Sequence, residues 1–561
     1  MQSINIMKRH RWALLPSAAA ILTLVLSTAS STFAGSATWK ANADGNWNNA
    51  SNWNPATVPN GPADTATFAR SNETFLASEV DIEVNGIVFN PRASAFTIIE
   101  LFNTMFITGV GITNNSGIMQ TFAPGPGVII FDHSATAGSL TLYDNRGSVL
   151  FGGTSTADHA TFTNLGLVDF GNTSTAGNAT FNNIGVITFD GDSTAGNGTF
   201  TNSDSGFINF APPAPTAGNG TFTNTGGVVS ERGGGFIVFN AGTAGNATFT
   251  NNGSAVSGAF PGETLFNPGD AGNATLIANG GLGGGDGGLI VFSSAGGVST
   301  GGTARVEVFG NGKLDISQHT ASGLTTGSIE GDGLVFLGAN KLTVGANNLS
   351  TTFSGLIQDG GIGGGTGGSL TKTGNGELSL TEANTYTGGT TLEAGTLLVK
   401  NETDSATGSG AVQVNAGTLG GTGKIAGAVT VGTGIGIGAF LSPGNSATEP
   451  GTLTIDNNTL TFNSASTYKC ALDRTTVTAS QVTAKGVRIN SVAQFVFNDF
   501  FTTGTLTTGT VLTLINNTSA SAIVGRFSNL PNGSTFASNG NNFQVNYRGG
   551  TGNDLTLTVV P

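Results

Sequence analysis

Only one cysteine, Cys470, occurs in 561 residues, so no internal disulfide can hold this chain together. Charge is scarce too: Lys, Arg, Asp and Glu make up 9% of the sequence. Lys and Glu, which usually coat exposed helices, are therefore few, and a helical protein is disfavoured. The four histidines are scattered and give no zinc-binding spacing. Beyond the first 34 residues no apolar run approaches the roughly 20 residues a membrane-spanning helix needs. Basic residues are outnumbered, 20 against 33 acidic, which disfavours nucleic acid and anionic membranes as partners.

Present in quantity are 89 glycines and 36 phenylalanines, with abundant Thr, Asn, Ala and Ser. Thr, Val and Phe favour strands, and Gly and Asn favour the turns between them. So much glycine is also compatible with low complexity. The regular apolar spacing and the phenylalanines argue instead for a folded all-β protein.

The N-terminus reads as a secretory signal. Lys8, Arg9 and Arg11 form a basic segment, Ala13 to Leu26 an apolar one, and Ser27 to Ala34 a small-residue stretch with cleavage expected after Ala34. Export is the expectation. Removal of 1–34 leaves 17 basic against 33 acidic residues, a net charge of about −16. In an oxidising compartment Cys470 reads as a small buried apolar residue, not as a reactive thiol.

Between Thr156 and Thr275 the phrase Thr-Ala-Gly-Asn-Ala-Thr-Phe-x-Asn recurs, with degenerate copies. Phe162, Phe181, Phe200, Phe222 and Phe249 hold equivalent positions, and Leu142 and Leu276 are read as weaker ends. Steps of this size mark a solenoid, whose single coil cannot bury its own apolar face. Each coil also has a short strand ending in Phe, at Phe131, Phe151, Phe170, Phe189 and Phe210. Apolar residues alternate with Thr or Asn, as in strands with one buried face. Coils stacked about 4.8 Å apart would pair as parallel strands, with Phe on Phe inside. Asn164, Asn183, Asn202, Asn224 and Asn251 are expected to form a side-chain ladder along the axis. Asn178, Asn197, Asn219, Asn246 and Asn273 are read as turn residues. A repetitive ligand-binding face is the competing reading of both rows. Insertions at Val228 to Gly235 and Ser254 to Glu263 are expected to form loops on one flank, where solenoids often bind.

Three tryptophans, Trp39, Trp47 and Trp53, precede the first coil. Two readings arise: a cap covering the open strand edge of the solenoid, or an aromatic platform for stacking sugars. Atypical terminal repeats favour the cap.

The segment Leu337 to Gly355, then Gly368-Ser-Leu-Thr-Lys-Thr-Gly-Asn-Gly-Glu-Leu-Ser-Leu380, Asn384-Thr-Tyr-Thr-Gly-Gly-Thr390 and Gly395-Thr-Leu397 resembles the autotransporter-associated β-strand repeat and the coil before it. The match is close over about 335–400. Leu441 to Asn445, Gly451 to Leu453 and Gly549 to Leu557 also resemble segments of such proteins, as does the Trp-rich opening. The resemblance implies a right-handed parallel β-helix passenger, exported and surface-associated in a Gram-negative-type bacterium. No translocating β-barrel is expected within the roughly 100 residues after 460, because such barrels need many strands of about ten residues.

β-Helices include polysaccharide lyases and glycosidases, so acidic groups are candidate catalysts. Asp190 with Asp192, and Asp158 beside His159, are the best groupings, and neither has a third group in reach by sequence. Gly549 to Asp554 begins a calcium-type nonapeptide, but its apolar residues fall out of phase, and Gly280 to Gly288 is looser still. No catalytic, cofactor or metal residue is therefore assigned.

The expected organisation is a signal peptide over 1–34, a Trp-rich cap with first coils over 35–115, and the repeat solenoid over 116–300. The autotransporter-associated region follows over 301–460, and a C-terminal β region or cap over 461–561. The expected function is that of an exported, non-enzymatic structural or adhesin-like β-helix, with extracellular polysaccharide or a host or neighbouring cell surface as partner. The alternative is a carbohydrate-active β-helix working through loops between Phe210 and Phe292.

Overall fold

The computed structural model describes residues 35–320, 323–435, 438–446, 448–500 and 504–561. The segment expected to be a signal peptide lies outside them. Among the described residues there is no α-helix; short strands follow one another, and nearly all pair in parallel. The chain forms two compact units, residues 35–270 with 281–288, and 271–280 with 289–561.

In the first unit each coil has three faces. One is the Phe-ending strand, such as Leu167–Phe170, paired in register with Val186–Gly191 of the next coil, Phe170 on Phe189. Another is the Ala-Thr-Phe strand, such as Thr180–Asn183, paired with Thr199–Asn202. The Thr-Ala-Gly-Asn phrase between them is more than a turn. Thr136, Thr156, Thr175, Thr194, Thr216 and Thr243 form a column of single-residue parallel bridges, a third face one residue wide. At the corner after it the chain turns through Gly177 (φ +62°) and Gly196 (φ +59°). These glycines take the left-handed conformation expected of their neighbours Asn178 and Asn197 as turn residues. The asparagines instead point outward, and Asn197 donates to the amide oxygen of Asn178 at 3.2 Å.

The core holds two stacked aromatic ladders. Tyr143, Phe162, Phe181, Phe200, Phe222 and Phe249 lie nearly parallel, with adjacent centroids 4.5–4.7 Å apart. Phe131, Phe151, Phe170, Phe189, Phe210, Phe239 and Phe266 form the other, at 4.3–5.0 Å. The spacing is imposed by the distance between paired strands. The two ladders meet edge to face, as Phe170 meets Phe181 at 6.0 Å and 79°, the geometry that ring quadrupoles favour. Tyr143, not Leu142, is the member of the row: Tyr143 pairs with Phe162, while Leu142 pairs with Thr161 on the outer side. Leu276, read as the other end, is fully buried.

Beside the rings runs the expected asparagine ladder. Each amide nitrogen donates to the amide oxygen one coil on, from Asn145 through Asn164, Asn183, Asn202 and Asn224 to Asn251, at 2.6–3.0 Å. Each also donates to a main-chain carbonyl, Asn164 to Val186 at 3.0 Å for example. All six are buried, and between its two ends a ladder of this kind satisfies its own polar groups.

The tryptophans form a buried cluster. Trp39, Trp47 and Trp53 are at most 2% exposed and pack edge to face on one another and against Phe68. Their indole N–H groups donate to the carbonyls of Glu73, Pro59 and Trp47. So enclosed, their rings are not free to stack on a sugar.

In the second unit, parallel coils continue through pairs such as Thr390–Leu392 with Val412–Val414 and Thr396–Val399 with Gly417–Gly421. One sheet runs in parallel from Lys424–Ile425 through Thr452–Ile455 and Gln481–Ala484 to Val511–Asn517. It then turns antiparallel through Asp554–Val560, Asn541–Gly549 and Thr535–Ser538. The Gly549 to Asp554 stretch is thus the turn of an antiparallel hairpin, and Asp554 accepts from the Asn517 N–H at 2.9 Å. Arg474 clamps this region. Its guanidinium binds Asp499 in two bonds, of 2.8 and 2.6 Å, and also reaches Asn541, Gly504 and Ser538. Cys470 is fully buried, and burial pushes its thiol far above the ordinary range, as expected of an inert core residue.

Candidate functional site

Of the two acidic groupings read from the sequence, Asp190 and Asp192 face different surroundings, whereas Asp158 and His159 stay together. Asp192 is exposed, with its N–H bound to the Asn172 carbonyl at 2.7 Å. Asp190 instead faces Asp169 of the preceding coil, because the Phe170–Phe189 register sets the two diagonally on the outer side of one sheet. Burial, and then the neighbouring Asp190 charge, raise Asp169 to about 7; burial raises Asp190 as well. The pair can hold a proton near neutrality, as carboxylates in general-acid roles do. Asp158 and His159 make an exposed 2.7 Å pair at the corner of another face, with Asp158 at φ +54°. Among the described residues, no cluster of three or more His, Cys, Asp or Glu could hold a metal ion.

A different feature grows out of the coil corners. In short coils the Asn-ladder strand passes to the next Phe-ending strand almost directly, Asn164 to Leu167 and Asn183 to Val186. At the same corner, residues 225–235, 252–262 and 281–288 form insertions that stack on one another. Gly227 donates to the Phe260 carbonyl at 2.8 Å, Glu231 to Gly258 at 3.0 Å, Phe260 to Arg232 at 3.0 Å and Ala255 to Gly227 at 2.9 Å. The third loop joins through Ser254 N–H to Asp286 and Leu282 N–H to Ser254, at 2.8 and 2.9 Å. The loops are thus held by main-chain bonds between coils. Glycine permits the approach: a Cβ on Gly226 would lie 2.1 Å from the Gly253 carbonyl oxygen. The tips are aliphatic and bare, with Val228 64%, Val229 53% and Leu282 72% exposed. The lengthened repeat step signals the first two insertions. The third was hidden in a glycine run that looked like a degenerate calcium motif.

The 370–399 stretch carries structural chemistry. Lys372 sits on an inward-facing row, yet its ammonium donates to the carbonyls of Thr373, Gly374 and Ala394, stitching one coil to the next. A Cβ on Gly395 would come within 2.9 Å of that nitrogen, so glycine there makes room for it. Burial lowers the Lys372 ammonium to about 8. Asn384 accepts from the Ile357 N–H and donates to the Ala406 carbonyl, both at 2.6 Å. Buried Tyr386 shares a 2.6 Å bond with the Thr390 hydroxyl.

Residues 370–399 match the model of the passenger-associated-transport-repeat family. The chain is also similar to the adhesin BmaC autotransporter of Brucella suis biovar 1 (strain 1330), 37% identical over 115 residues. That match covers 20% of this chain and 3% of the length of the relative. Together with the parallel coils, these likenesses fit a β-helix of the autotransporter-passenger type.

Proposed function

We propose that the chain is an exported, non-enzymatic β-helix that works as an adhesin-like protein at the cell surface or outside the cell, and that its adhesive face is the stack of three corner loops. The observation that carries this reading is the loop stack itself: three successive insertions, ordered by bonds between coils, with Val228, Val229 and Leu282 bare at their tips. Exposed aliphatic residues on a preordered backbone lose little conformational entropy on contact. The adhesin relative supports export and surface binding. The partner is a host or neighbouring cell surface or an extracellular polysaccharide.

Binding of the purified chain to epithelial cells and to an immobilised glycan array tests the proposal. A triple V228S/V229S/L282S variant is expected to lose at least tenfold in binding without a change in melting temperature. Undiminished binding by that variant overturns the assignment of the loops. A second reading, a carbohydrate-active enzyme, draws on the Asp169–Asp190 pair, whose raised carboxyls suit proton transfer. Depolymerisation of a polysaccharide that disappears in D169N and D190N would favour it over adhesion.

A further inference from the structure

Glu100 ends the strand Thr97–Glu100 in the N-terminal part of the first unit. Its side chain is fully buried, and neither carboxyl oxygen has a hydrogen-bond partner. The strand register explains why. Glu100 lies between Ser78 of the coil below and Pro124 of the coil above, in the row that becomes the asparagine ladder. Ser78 donates its hydroxyl to the Val80 carbonyl at 2.6 Å and to the Asn48 amide oxygen at 3.2 Å. Pro124 has neither an N–H nor a polar side chain. Beyond it, Asn145 spends its amide N–H groups on Asn164 and Leu167, so only its orphaned oxygen remains at the foot of the ladder. The row therefore contains acceptors and no free donor. A protonated carboxyl supplies a donor to it, whereas an ionised one adds a buried charge without a partner.

No cation compensates. The charged side chains on the surrounding strands and corners include Asp64, Arg70, Glu73, Glu79, Asp81, Glu83, Arg92, Asp144 and Arg146, and Arg70 and Arg92 are exposed. Of these Asp81 bears on the Glu100 carboxyl, and it has the same sign. Arg146 is exposed and turned to Asp144, 3.7 Å away. The Trp cluster rests on the same segment: Phe68, against which the three indoles pack, also meets Phe96 at 4.9 Å and Phe89 at 5.2 Å. We propose that Glu100 makes the N-terminal coils a pH-sensitive cap, closed while its carboxyl is protonated and loosened when it ionises.

The sign follows from linkage. Burial, and then Asp81, raise Glu100 from 4.5 to about 8 in the folded chain. An acid raised in this way stabilises the fold fully only below its unfolded value. Stability is then lost as pH rises from 4.5 towards 8 and levels off above. Within that window the opening of these coils becomes about tenfold more favourable per pH unit.

Hydrogen–deuterium exchange of the full chain from pH 5 to 9, corrected for intrinsic exchange, tests this. Peptides within 75–124 are expected to lose protection with rising pH, while peptides within 221–251, away from Asp169 and Asp190, do not follow them. In E100Q, and in E100M should the glutamine variant fold poorly, the pH dependence of 75–124 is expected to vanish. Protection of 75–124 that stays flat in the wild type, or falls alike in wild type and variants, overturns the proposal.

Discussion

At the scale of single residues, position in the row decides what a side chain does. Phe200 stacks between Phe181 and Phe222 at 4.7 and 4.5 Å and meets Phe189 edge to face. It therefore holds both ladders at once. F200D is expected to lose about 3–5 kcal/mol from the missing ring alone, with the cost of a buried, unpartnered carboxylate added. Thermal melting followed by circular dichroism, with limited proteolysis around residue 200, checks it. An unchanged melt would mean that Phe200 does not face the core. The sequence revealed this row because phenylalanine recurs at a near-constant step. It misplaced one end because Thr141-Leu142-Tyr143 can be aligned on Thr-Phe by a slip of one residue, and such a slip exchanges the faces of a strand. Asp169 escaped notice for a related reason: its neighbour Asp190 is close across coils, and linear spacing does not encode that contact.

At the scale of elements, strands were legible and corners less so. The Thr175 column pairs through one residue per coil, too short for the alternation that betrays a strand. Corners carry the cross-coil chemistry, with Lys372 as the clearest case. Replacing it by methionine keeps the stem and removes the ammonium, leaving the carbonyls of Thr373, Gly374 and Ala394 without that donor. K372M is expected to destabilise its unit by about 2 kcal/mol, the range for hydrogen bonds to a charged group. Denaturant unfolding measures it, and a midpoint equal to the wild type would show that the stitch contributes nothing net.

At the scale of the molecule, parallel pairing and the all-β character followed from composition and period, whereas the antiparallel finish of the second unit did not. Nothing in the alternation of Val511–Asn517 or Asp554–Val560 distinguishes parallel from antiparallel neighbours. The clamp that holds this region, Arg474 with Asp499, is nearly inaccessible to solvent, with side chains 3% and 2% exposed. Although burial opposes its charge, the guanidinium and the Ser538 and Asn539 bonds keep Asp499 below the usual carboxylate range. R474L leaves that carboxylate buried without its counter-charge, and about 3–5 kcal/mol of stability is expected to go with it. The loss should appear as faster proteolysis within 499–561. Cleavage no faster than in the wild type would place the stabilisation of this sheet elsewhere.

The asparagine ladder has a direction, since every amide gives its proton forward and takes one from behind. Only its two ends are left wanting, the oxygen of Asn145 and the nitrogen of Asn251. That penalty is the same for a ladder of three coils as for one of thirty. Gene duplication can therefore lengthen such a protein by whole coils without adding an unmet amide to the ladder, and the irregular spacing of its loops can diverge afterwards. Repeat number becomes a nearly neutral trait, free to drift among descendants while the chemistry of each rung stays fixed.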